Sequence, residues 1–175
     1  MTPVSAVGAQ RFEELVQSGF MNGLPMFRAI PNFLIQFGIQ PDHELHMKWE
    51  AAGNIQDDPP SEIPFTDGTL SYAGYGKDSR GTHLFMTLGN QPGLGKSPWE
   101  VPVGKVVKGL DVMHAVYTGY GDQVQQGSLR GPGGKQYLSK FPRLDSFRKC
   151  VVQSATPGHG DAIEYEVDHQ QEVEL

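Results

Sequence analysis

Apolar residues in this chain fall into short runs separated by polar stretches rich in glycine and proline, which predicts short strands and many turns. Phe12, Leu15 and Val16 share one face of a predicted helix over residues 6–17, capped by Ser5 and ended at Ser18-Gly19. A turn at Met21-Asn22-Gly23 leads into a mostly apolar stretch, residues 26–38. Its β-formers Phe27, Ile30, Phe33, Ile35 and Phe37 surround Pro31. Proline cannot donate to a sheet ladder, so Pro31 marks a break between two short strands.

Residues 40–66 read as a long surface loop with a helical turn around 44–51. Strands follow at 70–73 and 83–87, joined by a loop dense in turn formers. Another strand is predicted over 101–107, and Leu110, Val112, Met113, Val116 and Tyr117 give a second amphipathic helix stopped by Gly119. Further on come a glycine-rich loop over 121–134, a short helix over 135–141 ended by Pro142, and a strand over 147–152. In the acidic run 161–175, Ile163, Tyr165 and Val167 alternate with acidic residues; an edge strand and disorder both fit.

Composition narrows the function classes. At 175 residues the chain makes one domain, read as residues 1–156 with an acidic tail at 157–175. A formal charge of −6 leaves no basic patch for nucleic acid, and no apolar run reaches membrane-spanning length. The one cysteine, Cys150, excludes an internal disulfide. His43 and His46 have no third ligand at suitable spacing and read as solvated histidines, so no metal is expected. Gly95-Lys96-Ser97 mimics the end of a phosphate-binding loop, but Asn90 stands where its first glycine belongs and Pro98 opposes the helix it needs.

Candidate chemistry centres on polar residues inside apolar runs. Arg28 and Gln36 lie amid Phe27, Phe33 and Phe37. Standing alone, Arg28 could equally pair with a carboxylate at the rim of a core. The motifs around it resemble the cyclophilin family of peptidyl-prolyl cis-trans isomerases. The family's "F-x-R-x-I-x-x-F-x-x-Q-x-G" is matched at 26–38, "G-x-L-S-x-A" by Gly68 to Ala73, "G-S-Q-F-F-I" by Gly81 to Met86, and "F-G-K-V" by Val103-Gly104-Lys105-Val106. A later "G-Y-G-D … F-P-x-L-D" pattern resembles a divergent subgroup of that family.

The resemblance implies a mainly β fold, an eight-stranded antiparallel β-barrel capped by two α-helices. It also implies that this chain lacks the two strands that precede the first helix in the family, and any targeting segment with them, so the compartment stays open. It implies isomerisation of X–Pro bonds in client proteins, with no cofactor and with a monomer as the working form. A weakly catalytic proline-peptide binding module is the alternative. Arg28 matches the electrostatic catalyst, and Phe33, Leu34 and Phe85 match the proline pocket. Gln36 matches a donor to the substrate backbone, and Ala73, Gly74 and His83 match groove positions. Gly74 replaces an asparagine, His83 a glutamine, Leu84 a phenylalanine and Ile39 an aspartate. An ungapped count puts Gly95 and Glu100, beside Trp99, where the family has a pocket tryptophan and a groove histidine. Altered substrate preference and poor cyclosporin sensitivity are therefore expected.

Overall fold

The computed structural model describes residues 5–153 and the backbone of 162–168. The chain runs through α1 (Ala6–Gln17), β1 (Leu24–Pro25), β2 (Arg28–Ile30), β3 (Leu34–Phe37), α2 (His43–Ala52), β4 (Thr69–Tyr72) and β5 (Leu84–Thr87). It continues through β6 (Gly104–Lys105), α3 (Leu110–His114), α4 (Gln126–Arg130), α5 (Gly134–Leu138), β7 (Ser146–Gln153) and β8 (Ala162–Asp168).

Local chemistry accounts for the first elements. Ser5 Oγ accepts from Gly8 N–H at 2.9 Å and caps α1, and Gly19, at φ +75°, turns the chain out of it. Pro31 and Asn32 make the turn between β2 and β3. Asn32 takes φ +57°, and Phe33 N–H closes the turn on Ile30 O at 3.1 Å. The predicted break at proline is therefore a hairpin turn. In α2, Asp42 accepts from Leu45 N–H at 3.2 Å, and this cap extends the predicted helical turn to a ten-residue helix.

The strands form two antiparallel sheets, a three-stranded β1-β7-β8 and a five-stranded β2-β3-β5-β4-β6. Among the described residues the ladders do not run round a closed barrel, and five helices occur where two caps were expected. The 101–107 strand contracts to Gly104–Lys105, with Val103 and Val106 N–H still bonded to Leu70 and Gly68 O. Proline at 102 has no N–H for a longer ladder. The second predicted helix shortens to Leu110–His114. The alternating segment at 162–168 pairs with β7, as the edge-strand reading expected; residues 157–161 and 169–175 of the acidic tail lie outside the described residues.

Register assigns the faces of the five-stranded sheet. Ala29, Ile35, Met86 and Leu70 stand opposite one another, and with Phe37, Leu84 and Tyr72 they enter the main core. Leu15 and Val16 of α1, Phe20, Met113 and Phe147 fill the other side of that core. Successive side chains on a strand alternate faces, so Arg28, Leu34, Gln36 and Phe85 point away from it. A second cluster, Phe27, Ile39, Val124, Leu129 and Leu144, is built largely by the segment after Tyr117. Asp145 holds that segment down, accepting from Tyr117 N–H at 2.6 Å while its own carbonyl accepts from Met26 N–H at 2.9 Å.

Candidate active site

The face turned away from the core carries one cross-strand row. Arg28 pairs with Gln36, Gln36 with Phe85, and Phe85 with Ser71 across β2, β3, β5 and β4. Antiparallel partners project to the same side, so the register alone sets a cation, an amide and a phenyl ring side by side. Beside that row, Leu34, Phe65 and Phe85 form a small buried cluster, with Phe33, Ala73 and Leu94 packed against it. Phe65 stacks on Phe85 with centroids 5.9 Å apart and ring planes at 17°. The fold thus gathers the predicted pocket residues Phe33, Leu34 and Phe85, together with the predicted groove residue Ala73.

Arg28 lies over this cluster. Its guanidinium carbon is 5.7 Å from the centre of the Phe33 ring, and its Nε donates to Asp122. Asp122 reaches it because Gly121 bridges to Ala29 along the free edge of β2. The carboxylate partner anticipated for a lone rim arginine therefore exists, and it engages Nε while the ring face stays beneath the guanidinium.

Leu94 and Phe65 were not singled out in the sequence, yet they belong to the same cluster as Phe33 and Phe85. Leu94 adjoins Gly95, the position the ungapped count gave for the family's tryptophan, and it packs against the cluster as an apolar wall. The available signal was that Leu94 is the only bulky apolar side chain in the polar run 89–98. Gly95, at φ +80°, lets Phe65 approach: a Cβ there would meet the ring at 2.8 Å. Glu100 accepts from Gly95 N–H at 3.0 Å and staples the loop, so neither counted position lines the slot with a side chain that could bind substrate. A cavity of about 550 Å³ adjoins the slot behind Phe65 and Leu94, between segments 61–66 and 90–95.

Gly74 follows Ala73 at the rim. A Cβ on it would sit 2.8 Å from Trp99 Cβ and 2.6 Å from Ser79 Oγ, so Trp99 occupies the space a side chain at 74 would take. His83 shares the outer face but lies apart from the slot, edge-on to Phe27 at 5.9 Å and 3.4 Å from Arg130 Nη2. Burial, and then the Arg130 charge, push its pKa down to about 4. His43 and His46 are not both solvated. His46 is only 1% exposed on the inner side of α2, neither ring nitrogen has a hydrogen bond, and burial lowers its pKa. A Glu50 carboxylate 3.4 Å from its Nε2 is too poorly placed to count as one. His43 Nδ1 lies 2.9 Å from Arg130 O. The helix α2 packs on the core through Leu45 and Trp49, which turns His46 inward with them. Among the described residues no group of acidic, histidine or cysteine side chains is arranged to hold a metal.

The loop that carries Ala73 and Gly74 is anchored at its far end by a buried ion pair. Arg80 is fully buried and donates to Asp58 Oδ2 at 2.7 Å, to Ser5 Oγ at 3.1 Å and to Gln56 O. Burial pushes the Asp58 carboxyl up, but the Ser5 hydroxyl, Arg80 and the Val7 N–H together hold its pKa below the usual carboxylate range.

Comparison with known proteins agrees with this geometry. A family model described as cyclophilin type peptidyl-prolyl cis-trans isomerase/CLD matches residues 4–130. A peptidyl-prolyl cis-trans isomerase of Acinetobacter baylyi is 33% identical over 115 residues, 63% of this chain and 60% of that protein. Peptidyl-prolyl cis-trans isomerase B of Bacillus subtilis is 34% identical over 119 residues, 62% of this chain and 74% of that protein. The chain thus spans about three fifths of the length of the Acinetobacter relative. In fold it resembles a cyclophilin type isomerase from Cryptosporidium parvum, with a TM-score of 0.50 and 21% identity over 63% of this chain and 72% of that one. With residues 4–130 matched, and the Arg28 row and the Phe85 slot inside that span, this chain belongs to the cyclophilin-type peptidyl-prolyl cis-trans isomerase family.

Proposed function

We propose that the chain isomerises X–Pro peptide bonds in proline-containing peptides and client proteins, acting as a monomer and assisting their folding. The observation that carries this reading is the guanidinium of Arg28 held over Phe33, in register with Gln36 and Phe85. The two sheets are read as an opened form of the family's barrel, a reading supported by the fold likeness.

The uncatalysed bond turns over in tens to hundreds of seconds across a barrier of about 18–20 kcal/mol. No bond to carbon is made or broken, so catalysis consists of holding the twisted amide better than either planar isomer. Twisting breaks conjugation and returns the lone pair to the prolyl nitrogen. Arg28 then donates a hydrogen bond to that lone pair, an interaction that does not exist in either planar ground state. Asp122 takes Nε, and among the described residues the terminal guanidinium nitrogens have no other partner. Arginine stays charged throughout, and its planar fork fixes the direction of donation. Phe33, Leu34, Phe65, Phe85 and Leu94 grip the prolyl ring, and Gln36 and the rim at Ala73–Gly74 hold the backbone on the side that rotates.

A protease-coupled or exchange-NMR assay on an Ala-Pro peptide tests this. Arg28→Ala should lower kcat by about a hundredfold, the size typical of removing one transition-state donor. Unchanged turnover in that variant would show the assignment to be wrong. Peptide binding without turnover by the parent protein would favour a binding module.

A further inference from the structure

The segment after Tyr117 sets a second cation on the outer face of the sheet. Arg130 ends α4, a helix anchored by Leu129 in the second apolar cluster, and its Nη2 lies 3.4 Å from His83 Nε2. His83 immediately precedes β5, with its carbonyl still accepting from Ala73 N–H at 3.0 Å. Two residues before Phe85, it falls on the same side by the strand's alternation, about 7 Å along the face from the prolyl slot. An extended peptide advances about 3.3 Å per residue, which brings the side chain two positions from the proline over His83 and Arg130. Arg130 is exposed, and among the described residues no carboxylate lies within ion-pair distance of it. Its titratable neighbours are imidazoles: His83 with its pKa depressed to about 4, His46 with a lowered pKa, and His43, whose Nδ1 meets the Arg130 carbonyl. Arg28, by contrast, already has Asp122. An overall acidic chain thus keeps an uncompensated cation at one end of its groove.

We infer that Arg130 is a specificity-determining residue that selects substrates with an acidic side chain two positions from the isomerised proline. The inference deepens the isomerase reading and rests on it. Arg130 touches no reacting atom; it attracts a carboxylate on the flank while Arg28 acts on the prolyl nitrogen. His83, uncharged at neutral pH, meets Arg130 Nη2 through its Nε2 edge and adds no competing charge.

The test uses peptides with a fixed Ala-Pro core and Glu, Ala or Lys placed two positions before or after the proline. For the parent protein at low salt, kcat/KM for the Glu peptide should exceed that for the Lys peptide by about fivefold at one of the two positions. The ratio should fall toward one at 0.5 M salt, close to one in Arg130→Ala, and below one in Arg130→Glu. Arg130→Lys should keep it above one. A Glu-to-Lys ratio of one in the parent at both positions, or a preference that survives Arg130→Ala, overturns the inference. Affinities of the same labelled peptides by fluorescence anisotropy read the same ratio without turnover. If no peptide is isomerised the catalytic reading fails, while the charge preference still stands or falls on those affinities.

Discussion

Replacing Arg80 with leucine probes the buried ion pair that ties the groove loop to the start of α1. Asp58 is 7% exposed and would keep the Ser5 hydroxyl and the Val7 and Gly8 N–H groups, the last two at 3.2 Å, but lose its only buried cation. Removing one member of a buried pair costs about 3–5 kcal/mol, and the remaining hydrogen bonds argue for the lower end, about 3 kcal/mol. For a chain of this size that shifts Tm by about 6–12 °C. The double variant Arg80→Leu with Asp58→Asn removes the cation and its closer carboxylate, leaving Asp57, 3.6 Å from Arg80 Nε in the parent, and should recover part of the loss. The pH dependence follows from the sign of the Asp58 shift. Its folded pKa lies below the ordinary 3.8, so its contribution is present above that value and is lost as pH falls through the lower folded pKa. Arg80→Leu should therefore narrow its deficit against the parent at strongly acidic pH. Thermal melts over a pH series measure all three effects. A single variant melting within about 2 °C of the parent, or a double variant no more stable than the single, would refute the claim that this pair is a structural anchor.

Two further outcomes follow from the site. Gly74→Asn restores the family's residue into space that Trp99 fills, and should destabilise by about 1–3 kcal/mol in urea unfolding. Adding Trp99→Ala should reduce that penalty; an equal penalty in both backgrounds would rule out the steric explanation. The folded pKa of His83 is depressed to about 4 and that of His46 is also lowered, so their neutral forms stabilise the fold fully above the ordinary value of 6.5. That stability is lost as pH falls from 6.5 toward 4, and His83→Gln should flatten the slope of urea midpoint against pH in this window. A slope identical in His83→Gln and the parent would count against a buried, neutral His83.

Much of the site's frame could be read before any coordinates. Ser5 before a helical face, Pro31 within a β-rich run and alternation in 34–37 each act over a few residues, where backbone preference and side-chain period dominate. Those local rules already placed Arg28, Gln36 and Phe33 near one another, and the motif order pointed to the family. What the sequence left open was the partner of each group. Asp122 meets Arg28 from 94 positions away, and Leu94 and Phe65 reach Phe85 from separate loops. His46 turns inward because α2 packs on the core through Leu45 and Trp49, and Arg80 finds Asp58 only once α1, the 56–58 segment and the groove loop converge. Two sheets form instead of one closed ladder because strand pairing is settled by loop closure and core packing across the whole chain. Local propensity carries no record of those distances; tertiary packing alone brings the charges, rings and carboxylates within reach of one another.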